Sequence, residues 1–141
     1  MLALAVHAAY GLAMRILIVD DDPDILLLLE DVLLSRGHDV LWATSPDDGL
    51  GILDVADAVI TDLVMPGLDG LAFASEIRRR YPAMPIAFST GCHPDCELAK
   101  RAGRLGAVLH KPWTVQQVEA TVTDMAAAVG AGFRKSARGP E

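Results

Sequence analysis

Short runs of consecutive apolar residues alternate along this chain with longer stretches in which apolar positions recur every three or four residues, a pattern that predicts strand and helix in turn. Arg15 to Asp20, Val40 to Ala43, Ala58 to Thr61, Ile86 to Ser89 and Ala107 to His110 read as strands buried on both faces. The first helix starts at Pro23 with Asp22 as its cap, carries Ile25, Leu28, Leu29, Val32 and Leu33 inward, and ends at Gly37. Ser45-Pro46 open a second helix through Leu50 and Leu53, which Gly49 and Gly51 weaken. Pro66-Gly67 and Asp69-Gly70 mark a turn before a third helix, Leu71 to Tyr81, that stops ahead of Pro82. A short fourth helix covers Asp95 to Ala102. The fifth follows Thr114, a suitable cap, through Val115, Val118, Val122, Met125 and Val129. Strict alternation of strand and helix implies an α/β fold: a doubly wound five-stranded parallel sheet with helices on both faces.

One domain accounts for residues 14–130. Residues 1–13 read as an apolar N-terminal extension: they lack a basic n-region and fall short of the roughly 20 residues needed to span a bilayer. Met14 is an alternative start. Residues 131–141 read as a mobile tail without apolar pattern.

Parallel strands bring their C-termini to one edge, where open α/β sheets hold ligands. At that edge this chain places Asp20 and Asp21, then Asp62, Thr90 and Lys111, each at the end of a different strand. Converging carboxylates repel one another, and a hard divalent cation relieves the repulsion through oxygen ligands. A net charge of −7 argues against nucleic acid as a partner. The basic groups Arg78-Arg79-Arg80 and Lys100-Arg101 sit near predicted helix C-termini, where they complement the helix dipole. Cys92 and Cys96 flank His93, but His7, His38 and His110 fall in other elements, so a zinc site lacks ligands. The two cysteines read as small packing residues, not as a disulfide, because nothing else suggests an oxidising compartment.

Asp20-Asp21-Asp22-Pro23, the stretch Asp62 to Gly70, Thr90-Gly91 and Lys111-Pro112-Trp113, in this order and at matching strand ends, resemble the receiver domain of bacterial response regulators. The resemblance runs from about Met14 to Val129 and implies the flavodoxin-like receiver fold. It makes Asp62 the phosphoacceptor and Mg2+, or Mn2+, the cofactor, held by Asp20, Asp21, Asp62 and the Val64 carbonyl. Thr90 would bind the phosphoryl group and switch, Lys111 would pair with Asp62 and then with phosphoryl oxygen, and Gly91 and Pro112 would support them. The family often has a cis peptide before that proline.

Implied partners are a histidine kinase or histidine phosphotransfer protein as donor and an effector protein as receiver, with no nucleic acid and no membrane. The resemblance also implies a stand-alone cytoplasmic protein, a phosphoacceptor rather than an enzyme, which could form a homodimer through the fourth helix, fifth strand and fifth helix. Val108 stands where the family commonly has an aromatic residue, which puts the usual threonine–aromatic coupling in doubt. Val64 and Cys92 occupy positions that modulate autodephosphorylation, and neither orients water well, so a persistent phosphoaspartate is expected. Two other readings compete. One is an unphosphorylated interaction module on the same fold. The other is a haloacid dehalogenase-type phosphohydrolase, which would need its nucleophile after the first strand and a cap over its substrate.

Overall fold

The computed structural model describes residues 13–67 and 69–130. Leu68 and nearly all of the expected extension and tail lie outside these residues. Five strands, β1 (Arg15–Val19), β2 (Asp39–Ala43), β3 (Ala58–Thr61), β4 (Ile86–Thr90) and β5 (Ala107–His110), form one parallel sheet in the order β2-β1-β3-β4-β5. The helices are α1 (Pro23–Ser35), α2 (Pro46–Ile52), α3 (Gly70–Arg80), α4 (Glu97–Ala102) and α5 (Val115–Gly130), with a 3-10 turn at Leu53–Val55. This is the expected flavodoxin-like architecture. Strand order reverses between β1 and β3, which opens a crevice at their C-terminal ends.

Period-two alternation divides the core. Ile16 and Ile18 of β1, with Ala58 and Ile60 of β3, face α1 and α5, where they meet Leu26, Leu29, Val118 and Val122. Leu17 and Val19, with Val59 and Phe88, face the other side and meet Leu53, Phe73, Ala74 and Ile77. Each fully buried side chain of the size of Leu17 or Phe73 contributes roughly 1.5–3 kcal/mol relative to exposure.

The helix starts follow their capping residues. Asp22 accepts from the Asp24 amide, Ser45 from Asp48 and Asp69 from Ala72. Thr114 and Gln117 exchange bonds, Gln117 N to Thr114 Oγ1 and Thr114 N to Gln117 Oε1, a reciprocal cap for α5. Arg79 and Arg80 both bind Glu76, whose carboxyl they hold down at about 2, and the Arg78 guanidinium donates to the carbonyls of Pro82, Met84 and Leu105. The basic run is therefore structural.

Three expectations need correction. Leu28 does not face the core: it is 54% exposed, and Leu26 fills the inward position instead. The fourth helix begins at Glu97 rather than Asp95, because Cys96 is its cap and accepts from the Ala99 amide. Cys92 and Cys96 are not independent packing residues either, since they form a disulfide across the loop that precedes α4.

Candidate functional site

Backbone ladders run past the strand ends and fix the site residues in place. Asp62 N donates to Val19 O at 2.9 Å, Asp20 N to Ala43 O at 3.2 Å and Lys111 N to Thr90 O at 2.7 Å. Val19 pairs with Thr61, so Asp20 and Asp62, the next residues, leave the sheet side by side. Thr90 pairs with His110, and Lys111 follows directly.

The side chains converge accordingly. Carboxylate oxygens of Asp20, Asp21 and Asp62 lie within 4.8 Å of one another, the one group of three such metal-capable side chains among the described residues. Asp20 is 1% exposed and Asp62 8%, whereas Asp21 faces solvent. Lys111 Nζ stands 3.3 Å from Asp20 Oδ2 and 3.4 Å from Asp62 Oδ2, bridging the two buried acids. The other Asp62 oxygen, Oδ1, accepts the amides of Leu63 at 2.6 Å and Val64 at 3.3 Å. Asp20 Oδ1 accepts the Asp22 amide at 2.9 Å.

Burial pushes the Asp20 carboxyl above its ordinary value, and the neighbouring Asp62 charge adds to that; the Asp22 amide and Lys111 pull the other way. One ammonium thus pairs with two buried carboxylates, and Asp21 adds a third, exposed one. An all-oxygen donor set with that excess of negative charge fits a hard divalent cation.

Thr90 is 1% exposed, and its Oγ1 accepts the Cys92 amide at 3.0 Å. The Cys92 carbonyl pairs with His110 Nδ1 at 3.1 Å. Gly91 is exposed, and a β-carbon there would meet nothing within 4 Å. The Lys111–Pro112 peptide is cis. Trp113 packs against the α1/α5 side of the core and donates its indole N–H to Ser89 Oγ at 2.9 Å. The Val64 side chain is 63% exposed at the mouth of the pocket.

Sequence reasoning missed Gly70 and the disulfide. Gly70 N donates to Leu63 O at 2.9 Å, and a β-carbon there would run into the backbone of Asp62 and Leu63. Position after a capping aspartate gives no sign of so close an approach. The cysteine spacing was a visible signal, but it fits one helical turn as well as a loop.

Residues 16–123 match the response regulator receiver domain family. The chain is 36% identical over 112 residues to the DNA-binding transcriptional regulator NtrC of Klebsiella pneumoniae, covering 74% of this chain and 23% of that one. It is 40% identical over 93 residues to the transcriptional regulatory protein GlrR of Escherichia coli (strain K12), covering 63% and 21%. The chain therefore spans under a quarter of the length of these curated relatives.

Among solved structures, a response regulator receiver domain protein from Clostridium thermocellum superposes with a TM-score of 0.76 at 33% identity, over 85% of this chain and 98% of that one. NtrX from Brucella abortus superposes with a TM-score of 0.76 at 30% identity, over 85% and 28%. With a family match across most of its length, on the sheet and acidic pocket described above, the chain belongs to the response regulator receiver domain family of two-component signal transduction.

Proposed function

We propose that residues 14–130 form a phosphoacceptor switch in which Asp62 takes a phosphoryl group from a histidine kinase or histidine phosphotransfer protein. The observation that carries this reading is the convergence of Asp20, Asp21 and Asp62 with the Lys111 ammonium 3.4 Å from the Asp62 carboxylate. An Asp62 oxygen attacks phosphorus in line, the P–N bond to the donor imidazole breaks, and the nitrogen keeps the electron pair. The product is an acyl phosphate on Asp62.

Asp20, Asp21, Asp62 and the Val64 carbonyl would hold Mg2+ or Mn2+, which when bound supplies charge neutralisation for the incoming phosphoryl oxygens. The chain's own residues do the rest. The Leu63 and Val64 amides fix one Asp62 oxygen, which orients the carboxylate before attack. Lys111 offsets the carboxylate charge beforehand and pairs with phosphoryl oxygen afterwards. The Thr90 hydroxyl, already buried beside the pocket, turns to donate to the phosphoryl group and carries the loop to α4 with it. Gly91 and Pro112 flank these two groups.

Ile25 and Leu28 of α1, with Lys111, Pro112 and Trp113, line an apolar groove of about 330 Å³ beside the pocket. It suits a donor helix that presents its phosphohistidine over Asp62. Output passes to an effector protein, or to a second copy, through the α4–β5–α5 surface. DNA binding is named for the longer relative NtrC and is not proposed for residues 14–130. No described helix is long and apolar enough to cross a membrane, and we place the protein in the cytoplasm.

Intact-protein mass spectrometry after incubation with acetyl phosphate tests the reading. A magnesium-dependent gain of one phosphoryl group, absent in Asp62→Asn, is expected. No gain with either a small-molecule or a kinase donor overturns it in favour of an unphosphorylated interaction module.

A further inference from the structure

Cys92 is joined to three parts of the molecule at once. Its amide donates to Thr90 Oγ1 at 3.0 Å, its carbonyl meets His110 Nδ1 at 3.1 Å next to Lys111, and its sulfur is bonded to Cys96, the cap of α4. Cys96 is tied down in turn: its amide donates to His93 O at 2.9 Å, its carbonyl accepts Lys100 N at 3.1 Å, and its sulfur accepts Ala99 N at 3.3 Å. The disulfide closes a ring of the residues from Cys92 to Cys96, whose middle three, His93, Pro94 and Asp95, are exposed, while both cysteines are half-buried. Small thiols and disulfides can therefore reach the bond.

Thr90 is buried, so turning its hydroxyl toward a phosphoryl group on Asp62 requires the Cys92 amide either to follow or to lose its acceptor. With the ring closed, Cys92 can follow only by carrying the start of α4. With the ring open, the loop moves independently.

We propose that Cys92 and Cys96 are a redox-active pair that controls the freedom of the Thr90 loop, the disulfide opposing the phosphorylated conformation and the dithiol permitting it. The inference rests on the phosphoacceptor reading of Asp62. The oxidant is a low-molecular-weight disulfide. One protein thiolate attacks it, its S–S bond breaks, and a small thiolate leaves; the second protein thiolate then attacks the mixed disulfide and expels the other small thiolate. Two cysteine thiols are oxidised, one external disulfide is reduced to two thiols, and the two protons pass to the departing thiolates.

Coupling between two sites is reciprocal, so phosphorylation must shift the pair toward the dithiol as strongly as the disulfide disfavours phosphorylation. The test equilibrates the intact chain in glutathione buffers of graded ratio, with magnesium, with and without acetyl phosphate, then alkylates free thiols and reads both modifications by intact mass. Phosphorylation is expected to make the pair roughly fivefold harder to oxidise, the lower end of ordinary coupling between sites. Asp62→Asn should show no shift, and a doubly substituted Cys92→Ser, Cys96→Ser chain should phosphorylate equally in all buffers.

Cysteines that remain reduced across the whole range would overturn the proposal. So would a chain that is phosphorylated normally but whose half-oxidation ratio does not move, an outcome that leaves the phosphoacceptor reading standing. Failure of the fully reduced chain to be phosphorylated would overturn that reading and this inference with it.

Discussion

Gly70, the first residue of α3, lies directly against the backbone of Asp62: a β-carbon there would overlap the Asp62 carbonyl oxygen and stand 2.6 Å from the Leu63 α-carbon. Neither neighbour is the end of a flexible side chain, so backbone must move. Gly70→Ala is expected to destabilise by roughly 1–3 kcal/mol, the usual range for overpacking. It should also displace the Asp62 carboxylate, whose oxygen is fixed by the adjoining Leu63 and Val64 amides. Urea denaturation gives the first effect. Phosphorylation under conditions where the variant is fully folded gives the second, and an unchanged rate would show that Asp62 is positioned independently of α3.

The Asp20 carboxyl sits above its ordinary value of 3.8 because burial disfavours its charged form. A carboxylate raised in the folded state binds more protons folded than unfolded, so stability falls as pH rises from the unfolded value through the folded one. The cation-free protein is expected to lose stability across that window. Magnesium favours the ionised form, so its stabilisation should grow over the same range. Thermal denaturation with and without magnesium from acid to neutral pH checks this, and Asp20→Asn should flatten both profiles.

Trp113→Phe removes the indole donor to the buried Ser89 hydroxyl. A lost bond of this type costs about 0.5–1.5 kcal/mol, with a further penalty where the remaining partner stays buried and unpaired. The same substitution loosens the segment carrying Lys111, so phosphoryl transfer should slow while magnesium affinity changes little. Equal losses in both would show that Trp113 acts only through global stability.

Val64 is exposed at the pocket mouth and offers no polar atom from its side chain to an attacking water. Val64→Asn is expected to shorten the phosphoaspartate lifetime several-fold, followed by loss of the phosphoryl mass after donor removal. An unchanged decay rate would remove this position from the control of hydrolysis.

The strand ends are legible because short, mostly apolar runs stopped by Asp, Thr or Lys leave little freedom in register, and the register alone brings Asp20, Asp62 and Lys111 together. The inward face of α1 is not. Ile25 to Leu29 are five consecutive apolar residues, and such a run gives no phase to a helix; contact with the sheet selects Leu26 and Leu29 and leaves Leu27 and Leu28 outside. The disulfide is not legible because a chain with two cysteines and no other sign of an oxidising compartment favours free thiols, and a helix begun at Asp95 hides the cap role of Cys96. Once Cys96 becomes a cap, its sulfur turns back toward the loop and finds Cys92. Gly70 was legible only as a turn residue, since close backbone approach leaves no trace in local sequence.

Arg78, reaching from α3 to the carbonyls of Pro82, Met84 and Leu105, ties together the segments that lead into β4 and β5. For the switch proposed above, these bonds resist relief of motion at Thr90 or Lys111 by sliding of the two strands at their starts. The sheet is in effect a blade clamped at one end, so the proposed switch is expected to direct a disturbance at its free end sideways, into α4 and the outer face of β5.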